Sequence, residues 1–184
     1  MQFHDISYLK NGTRRQQEVY TVLHQNKILE TLQAFNPVLV GTIPINVDIE
    51  NSDLDIICCF EDKNLFRDTI LNLFKTSQDF SIREREGEEE TIIAGFYADG
   101  FMVELFGQHI PCWQQSGYRH LLIEHRLLNK YGNTFREKVI ALKNQGYKTE
   151  PAFAKLLGLQ GDPYQALLQL EVDAEEQLNN TNAY

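Results

Sequence analysis

Two carboxylates separated by a single leucine, Asp53-Leu54-Asp55, open an otherwise unbroken apolar run, Ile56-Ile57-Cys58-Cys59-Phe60. The run from Leu54 to Phe60 reads as a buried strand, apolar on both faces behind its leading acids. Strand side chains alternate between faces, so Asp53 and Asp55 project from the same side. Two ionised carboxylates a few ångströms apart repel each other, and burying them unpaired is costly. A hard cation such as Mg²⁺ resolves both problems, because it prefers carboxylate oxygens in octahedral geometry.

Such a site calls for a third carboxylate on a neighbouring strand. Phe101-Met102-Val103-Glu104-Leu105-Phe106 contains one acid, Glu104, inside an otherwise apolar strand. The competing reading pairs Glu104 with a buried arginine or places it on an edge. The upstream Asp pair favours the metal role.

Periodicity organises the rest of the chain. A helical stretch runs from Gly12-Thr13 to about Phe35, with Val22, Leu29 and Leu32 at helical spacing, and Asn36-Pro37 ends it. Residues 37–41 form a short apolar strand, and residues 42–52 a loop. Residues 62–76 read as an amphipathic helix capped by Asp62, with Leu65, Ile70, Leu73 and Phe74 on its apolar side. Strands follow at 80–85, 91–97 and 101–106, the last two joined by an Asp99-Gly100 hairpin turn. From Trp113 onward the pattern is helical: 113–131, 134–144, 150–157 and 163–178, with Gly132, Gly146 and Gly158 as stops. The expected architecture is α+β. A mixed sheet core with flanking helices occupies residues 1–110, and a helical C-terminal segment, 111–184, packs on it as one compact unit.

Charge limits the partners. Acids outnumber bases by 26 to 17, a net charge of −9. Long nucleic acids are disfavoured, since each phosphate contact calls for Lys or Arg. A small molecule or a protein fits better. No stretch approaches the roughly 18 uninterrupted apolar residues of a membrane span, and the first residues lack the order of a signal peptide. Three cysteines, two of them adjacent, offer neither a disulfide framework nor a zinc pair. A cytoplasmic location is expected, with buried and unreactive thiols.

The order of features is Gly41-Thr42 after an apolar strand, ten residues, Asp53-Leu54-Asp55, then Glu104 on a later strand. That order resembles the nucleotidyltransferase superfamily. Residues 38–106 carry the superfamily pattern. The likeness to an uncharacterised bacterial family, a domain of unknown function placed in that superfamily, extends through LFGQHIPCWQQSGYRHLLIEHRLL and KTEPAFAKLLGLQGDPYQALL. The resemblance implies two Mg²⁺ ions held by Asp53, Asp55 and Glu104, which would be both metal ligands and catalytic residues. It implies an NTP whose terminal phosphates are approached by Gly41 and Thr42, and transfer of a nucleoside monophosphate to a hydroxyl. The loop Ile43-Pro44-Ile45-Asn46-Val47 departs from the small, basic, glycine-containing loop of better-known members, so metal binding is the more direct expectation.

Phosphates also need fixed positive charge. Arg119, Arg126 and Lys130, at i, i+7 and i+11, share a helix face. Arg126, and separately Lys148, are the candidates for nucleotide binding, against the plainer reading of a solvated face. His109, His120 and His125 are read as structural, because histidines five apart on a helix do not share a metal readily. Trp113 is expected to be a core anchor, and the acidic run 84–90 around Gly87 a solvated hairpin end. Acceptor and base preference stay open, as does oligomeric state. The alternatives are a silent nucleotide- or metal-binding module of the same fold and an interaction protein whose acids pair with arginines.

Overall fold

The computed structural model describes residues 3–85, 87 and 90–171. Five strands, β1 (Val38–Val40), β2 (Leu54–Cys59), β3 (Gln78–Arg85), β4 (Thr91–Ala98) and β5 (Phe101–Gln108), form one mixed sheet. Their order is β1-β2-β5-β4-β3, with β2 and β5 parallel and every other neighbouring pair antiparallel. Asp99 and Gly100 close the β4–β5 hairpin with φ of 46° and 85°, the pair of left-handed residues a tight two-residue turn requires.

One sheet face is dry. Leu54, Ile56 and Cys58 of β2, Val103 and Leu105 of β5, and Ile92, Ala94 and Phe96 of β4 bury against helices α1 (Arg14–Gln25) and α3 (Lys63–Phe74). Along β5 the alternation is strict: Val103, Leu105 and Gly107 are buried, while Met102, Glu104 and Phe106 stay partly exposed. Gly107 has a packing reason to lack a side chain, since a Cβ there would lie 2.1 Å from the buried Phe66 ring.

The helix ends follow from capping chemistry. Thr13 and Gln16 form a reciprocal capping box at the start of α1. The Asp62 carboxylate accepts from the backbone N–H of Asn64 and Leu65 at the start of α3. Two expectations are corrected. The stretch to Phe35 is not one helix: the left-handed Lys27 (φ 52°) ends α1, and a short α2 (Ile28–Thr31) and a 3-10 turn (Gln33–Phe35) follow. The re-aimed chain buries Ile28 and Leu32 in the core. The apolar stripe of α3 is Phe66, Ile70 and Phe74, at steps of four, whereas Leu65 and Leu73 are exposed. The aromatic rings win that face because Gly107 leaves room for one of them.

Trp113 also departs from expectation. It sits in a 3-10 turn, Cys112–Gln114, before the next helix, and is 60% exposed. The turn directs Cys112 and Gln115 inward instead, and the Gln115 amide donates to the carbonyls of Cys58 and Ile110.

Packing divides the chain into two compact units: the described residues of Met1–Asn46 with Asn51–Tyr118, and Val47–Glu50 with those from Arg119 onward. Helical residues Ser116–Asn144 (α4) are broken at Gly132, whose φ of 74° and ψ of −165° are outside any helix. Helix α5 (Thr149–Leu157) stops at Gly158 (φ 70°), and helix α6 is described over 163–171. The expected extension of that helix to 178 lies outside the described residues, as do positions 86, 88 and 89 of the acidic run. Among the described residues, no helix is long and apolar enough to cross a membrane.

Within the second unit, Glu124 is buried and its Oε1 has no hydrogen-bond partner among the described residues. Burial pushes its pKa well up, Glu150 adds to the rise, and Lys143 opposes it. A carboxyl whose folded pKa lies above its unfolded value contributes fully below the ordinary carboxyl range, and that contribution is lost as pH rises toward the folded pKa. The wild-type protein should therefore lose up to ~1.4 kcal/mol per pH unit above about pH 5 from this group. Glu124→Gln should flatten that slope, so that its stability relative to wild type in urea unfolding rises as pH climbs above the ordinary carboxyl range. A parallel slope in the two proteins would remove Glu124 as its source.

Candidate metal and nucleotide site

The pairing of β2 with β5 sets Asp55 directly opposite Glu104. In parallel neighbours, residues opposite each other point to the same face, so the two carboxylates meet above the sheet. Asp53, one residue before β2, falls on that face too. Carboxylate oxygens of Asp53, Asp55 and Glu104 lie within 4.8 Å of one another, and all three side chains are partly exposed. Three acids this close hold together poorly without positive charge between them, and their oxygen-only set suits a hard divalent cation. The donor set and its spacing fit Mg²⁺.

The register continues across the sheet. Ser81, Gly95, Glu104, Asp55 and Val40 form one row from edge to edge. Arg83, two residues along β3 from Ser81, brings Nη2 to 3.9 Å from Glu104 Oε1. That is an ion pair without a hydrogen bond. Arg83 is 67% exposed in its side chain, so it does not match the buried arginine of the competing reading for Glu104.

Beyond Asp55 on the β1 side stands Gly41. Its φ is +75°, and a Cβ there would sit 2.3 Å from Asp55 Oδ2. Both the backbone conformation and the space require glycine. Thr42 follows, its hydroxyl donating to Ser52 Oγ at 3.3 Å. Ile43 and Ile45, read from sequence as a stiff apolar loop, are buried. Gln16, which the sequence reading passed over, holds this loop: its Nε2 donates to the carbonyls of Ile43 (2.8 Å) and Pro44 (3.3 Å), while its Oε1 accepts from Thr13 N–H. The Thr-x-x-Gln spacing could have revealed the cap, but not the reach across to the loop.

The first unit thus brings Asp53, Asp55, Glu104, Gly41 and Thr42 together. Arg126 and Lys148 belong to the second unit, where each is exposed and Lys148 stands at the N-cap of α5. Arg119, of the same stripe as Arg126, is committed to Glu171 at 2.8 Å. The histidines have structural partners: a His109 ring nitrogen meets Phe60 O, His120 meets Tyr164 O and Glu150, and His125 meets Asn129. Cys58 and Cys112 are buried free thiols, the second pushed up to about 12 mainly by burial. Glu84, in the acidic run, pairs with Lys63 and Arg67.

A family model described as "Domain of unknown function (DUF4269)" matches residues 21–170, a span that includes all three acids. The chain belongs to this family. No curated protein matches it. Solved structures similar to this DUF4269 chain include Cid1, described for its RNA terminal uridylyl transferase activity (TM-score 0.53, 10% identity, 76% of this chain and 46% of that one). Others are the GLD-2/RNP-8 complex (0.51, 14%, 81% and 60%) and the polymerase core of TRAMP, an RNA surveillance complex (0.50, 12%, 88% and 50%). At these identities the likeness is one of fold, and that fold is nucleotidyltransferase-like. The chain spans about half the length of the structures it matches.

Gly41→Ala should destabilise the protein by roughly 1–2 kcal/mol from the left-handed backbone alone, with a further loss from the collision at Asp55 Oδ2. Adding Asp55→Ala removes the colliding carboxylate. Urea unfolding of the four proteins of that cycle should give a coupling of about 0.5 kcal/mol or more. Additive losses would mean that Gly41 and Asp55 do not restrain each other.

Proposed function

We propose that this chain is a Mg²⁺-dependent nucleotidyltransferase that moves a nucleoside monophosphate from an NTP to a hydroxyl of a small molecule or protein. The observation that carries this reading is the juxtaposition of Asp53, Asp55 and Glu104 beside a glycine turn that nothing bulkier could occupy. The fold likeness to known nucleotidyltransferases supports it.

Asp53, Asp55 and Glu104 would hold the metal, two ions in the full complex. Bound there, Mg²⁺ supplies charge neutralisation for the phosphates and acidifies the acceptor hydroxyl. Gly41 lets the backbone approach the terminal phosphates, and Thr42 offers a hydroxyl and an N–H beside them. Gln16 fixes the loop that carries both. Glu104, on the side of the row away from Gly41, faces the acceptor. In the transfer, the acceptor oxygen forms a bond to the α-phosphorus, the bond from that phosphorus to the β-phosphate bridging oxygen breaks, and pyrophosphate leaves with those electrons. The hydroxyl proton passes to solvent.

The net charge of −9 argues for a small-molecule or protein acceptor over long RNA. Free cysteines agree with a cytoplasmic place of action.

Mg²⁺ with an NTP at about a hundred times its Kd should stabilise the protein by ~2.7 kcal/mol in thermal unfolding. Asp53→Asn with Asp55→Asn should abolish that gain. Glu104→Gln should retain much of it yet lose transfer of label from an α-labelled NTP to an acceptor in cell extract. An unchanged melting temperature of the wild-type protein with metal and every NTP would end the proposal. Stabilisation without label transfer would leave a binding module of the same fold.

A further inference from the structure

The row of residues that carries the acids has two unlike ends. On the β1 side, Gly41 presses its backbone against Asp55 Oδ2. The other side is built differently. Gly95 has no side chain, and the Met102 methyl and Ser81 Oγ close over the place its Cβ would take, at 2.7 Å and 3.2 Å. Two residues along the edge strand from Ser81 stands Arg83, its guanidinium 3.9 Å from Glu104 Oε1 and its side chain two-thirds exposed. Among the described residues this is the single ion pair that Arg83 makes, and it lacks hydrogen-bond geometry. Charges on the opposite face of the same strand behave differently: Lys63 and Arg67 of α3 close on Glu84 at 2.8 Å and 3.3 Å.

We propose that Arg83 anchors an oxyanion, a phosphate or carboxylate, carried by the acceptor, so that the acceptor is an anionic hydroxyl compound. The inference rests on the nucleotidyltransferase reading and names the substrate class of its second subsite. Three acids repel an anionic acceptor, and a planar guanidinium beside Glu104 offsets that repulsion where the acceptor must enter. An oxyanion held there by two parallel N–H donors sits on the Arg83 side of Glu104, with its hydroxyl free to reach the acids. An exposed arginine can move the last few ångströms that a buried one could not.

The test is an NMR titration of the ¹⁵N-labelled protein, following the Arg83 Nε–H signal, assigned by its disappearance in Arg83→Lys. Mg²⁺ and a non-hydrolysable NTP are added first, then inorganic phosphate in one arm and acetate in another. The proposal expects little change at Arg83 with the NTP and a saturable shift with phosphate or acetate, the responding arm identifying the anion. Arg83→Gln should leave NTP affinity within about twofold, the scatter expected where no contact is lost. It should weaken phosphate or acetate binding at least tenfold, and a melting temperature close to wild type checks its fold. A shift on NTP addition, with NTP affinity lost in Arg83→Gln, would overturn the proposal and make Arg83 a triphosphate ligand. No shift with either anion would overturn it and leave Arg83 a counter-charge for Glu104. If the wild-type protein does not bind Mg²⁺ and NTP at all, the parent reading fails first and this one falls with it.

Discussion

Parallel pairing between β2 and β5 is the constraint on which the rest of the site depends. These strands are far apart in sequence, and only their alignment sets Asp55 opposite Glu104. A slip of one residue would turn every side chain of one strand to the other face. Glu104 would then enter the dry face among Leu54, Ile56 and Ala94, where an unpaired carboxylate is prohibitively costly. The same slip would expose Val103 and Leu105. Hydrophobic burial on one face therefore holds the acids together on the other, and the cost of bringing three carboxylates near one another is met by the core beneath them.

The turn after β1 shows a second dependence, this time of site upon helix. Gly41 adopts a left-handed conformation against the Asp55 carboxylate, and the chain leaving it is not free to relax. Ile43 and Ile45 are buried, and the Gln16 amide, itself fixed by the capping box of α1, takes the Ile43 and Pro44 carbonyls. A single side chain thus satisfies one donor at a helix start and two carbonyls of a loop at once. The apolar composition of this loop is what gives it a buried seat.

Much of this was legible without coordinates, for reasons tied to local rules. The acid pair at the head of an apolar run, the lone Glu104 in an alternating strand, the Asp99-Gly100 turn and the helix break at Gly132 all follow from period and backbone preference. What escaped needed distant partners. Leu65 and Leu73 satisfy helical spacing as well as Phe66 does, and only the gap above Gly107 decides between them. Trp113 is apolar and alone, yet a 3-10 turn sends Cys112 and Gln115 inward in its place. Lys27 carries no turn signature, and its left-handed conformation makes sense only once Ile28 and Leu32 are seen in the core. Arg83 was passed over altogether, because nothing in a run of alternating charges marks one arginine as lying beside an acid on another strand.

Fold and activity separate along the sheet. Structures similar to this chain in backbone include RNA-acting polymerases, yet those compared share 10–14% of residues with it and about half of their length lies beyond what it matches. A shared fold carries shared chemistry only where the same groups stand at the same places, and its substrates are set elsewhere. On the reading proposed above, the centre of the row, Asp55 with Glu104, would hold the metal, the part shared by nucleotidyl transfers whatever their acceptor. The edge strand beyond Gly95 contributes nothing to that common chemistry. On the same reading it is where an acceptor would approach, and its exposed arginine stands beside the acids of a chain that is otherwise strongly acidic. A polyanion tracking a long surface would meet that acidity at every step, whereas a compact anion needs favourable charge at one point only. The placement of Arg83 therefore favours an acceptor small enough to be governed by a single guanidinium.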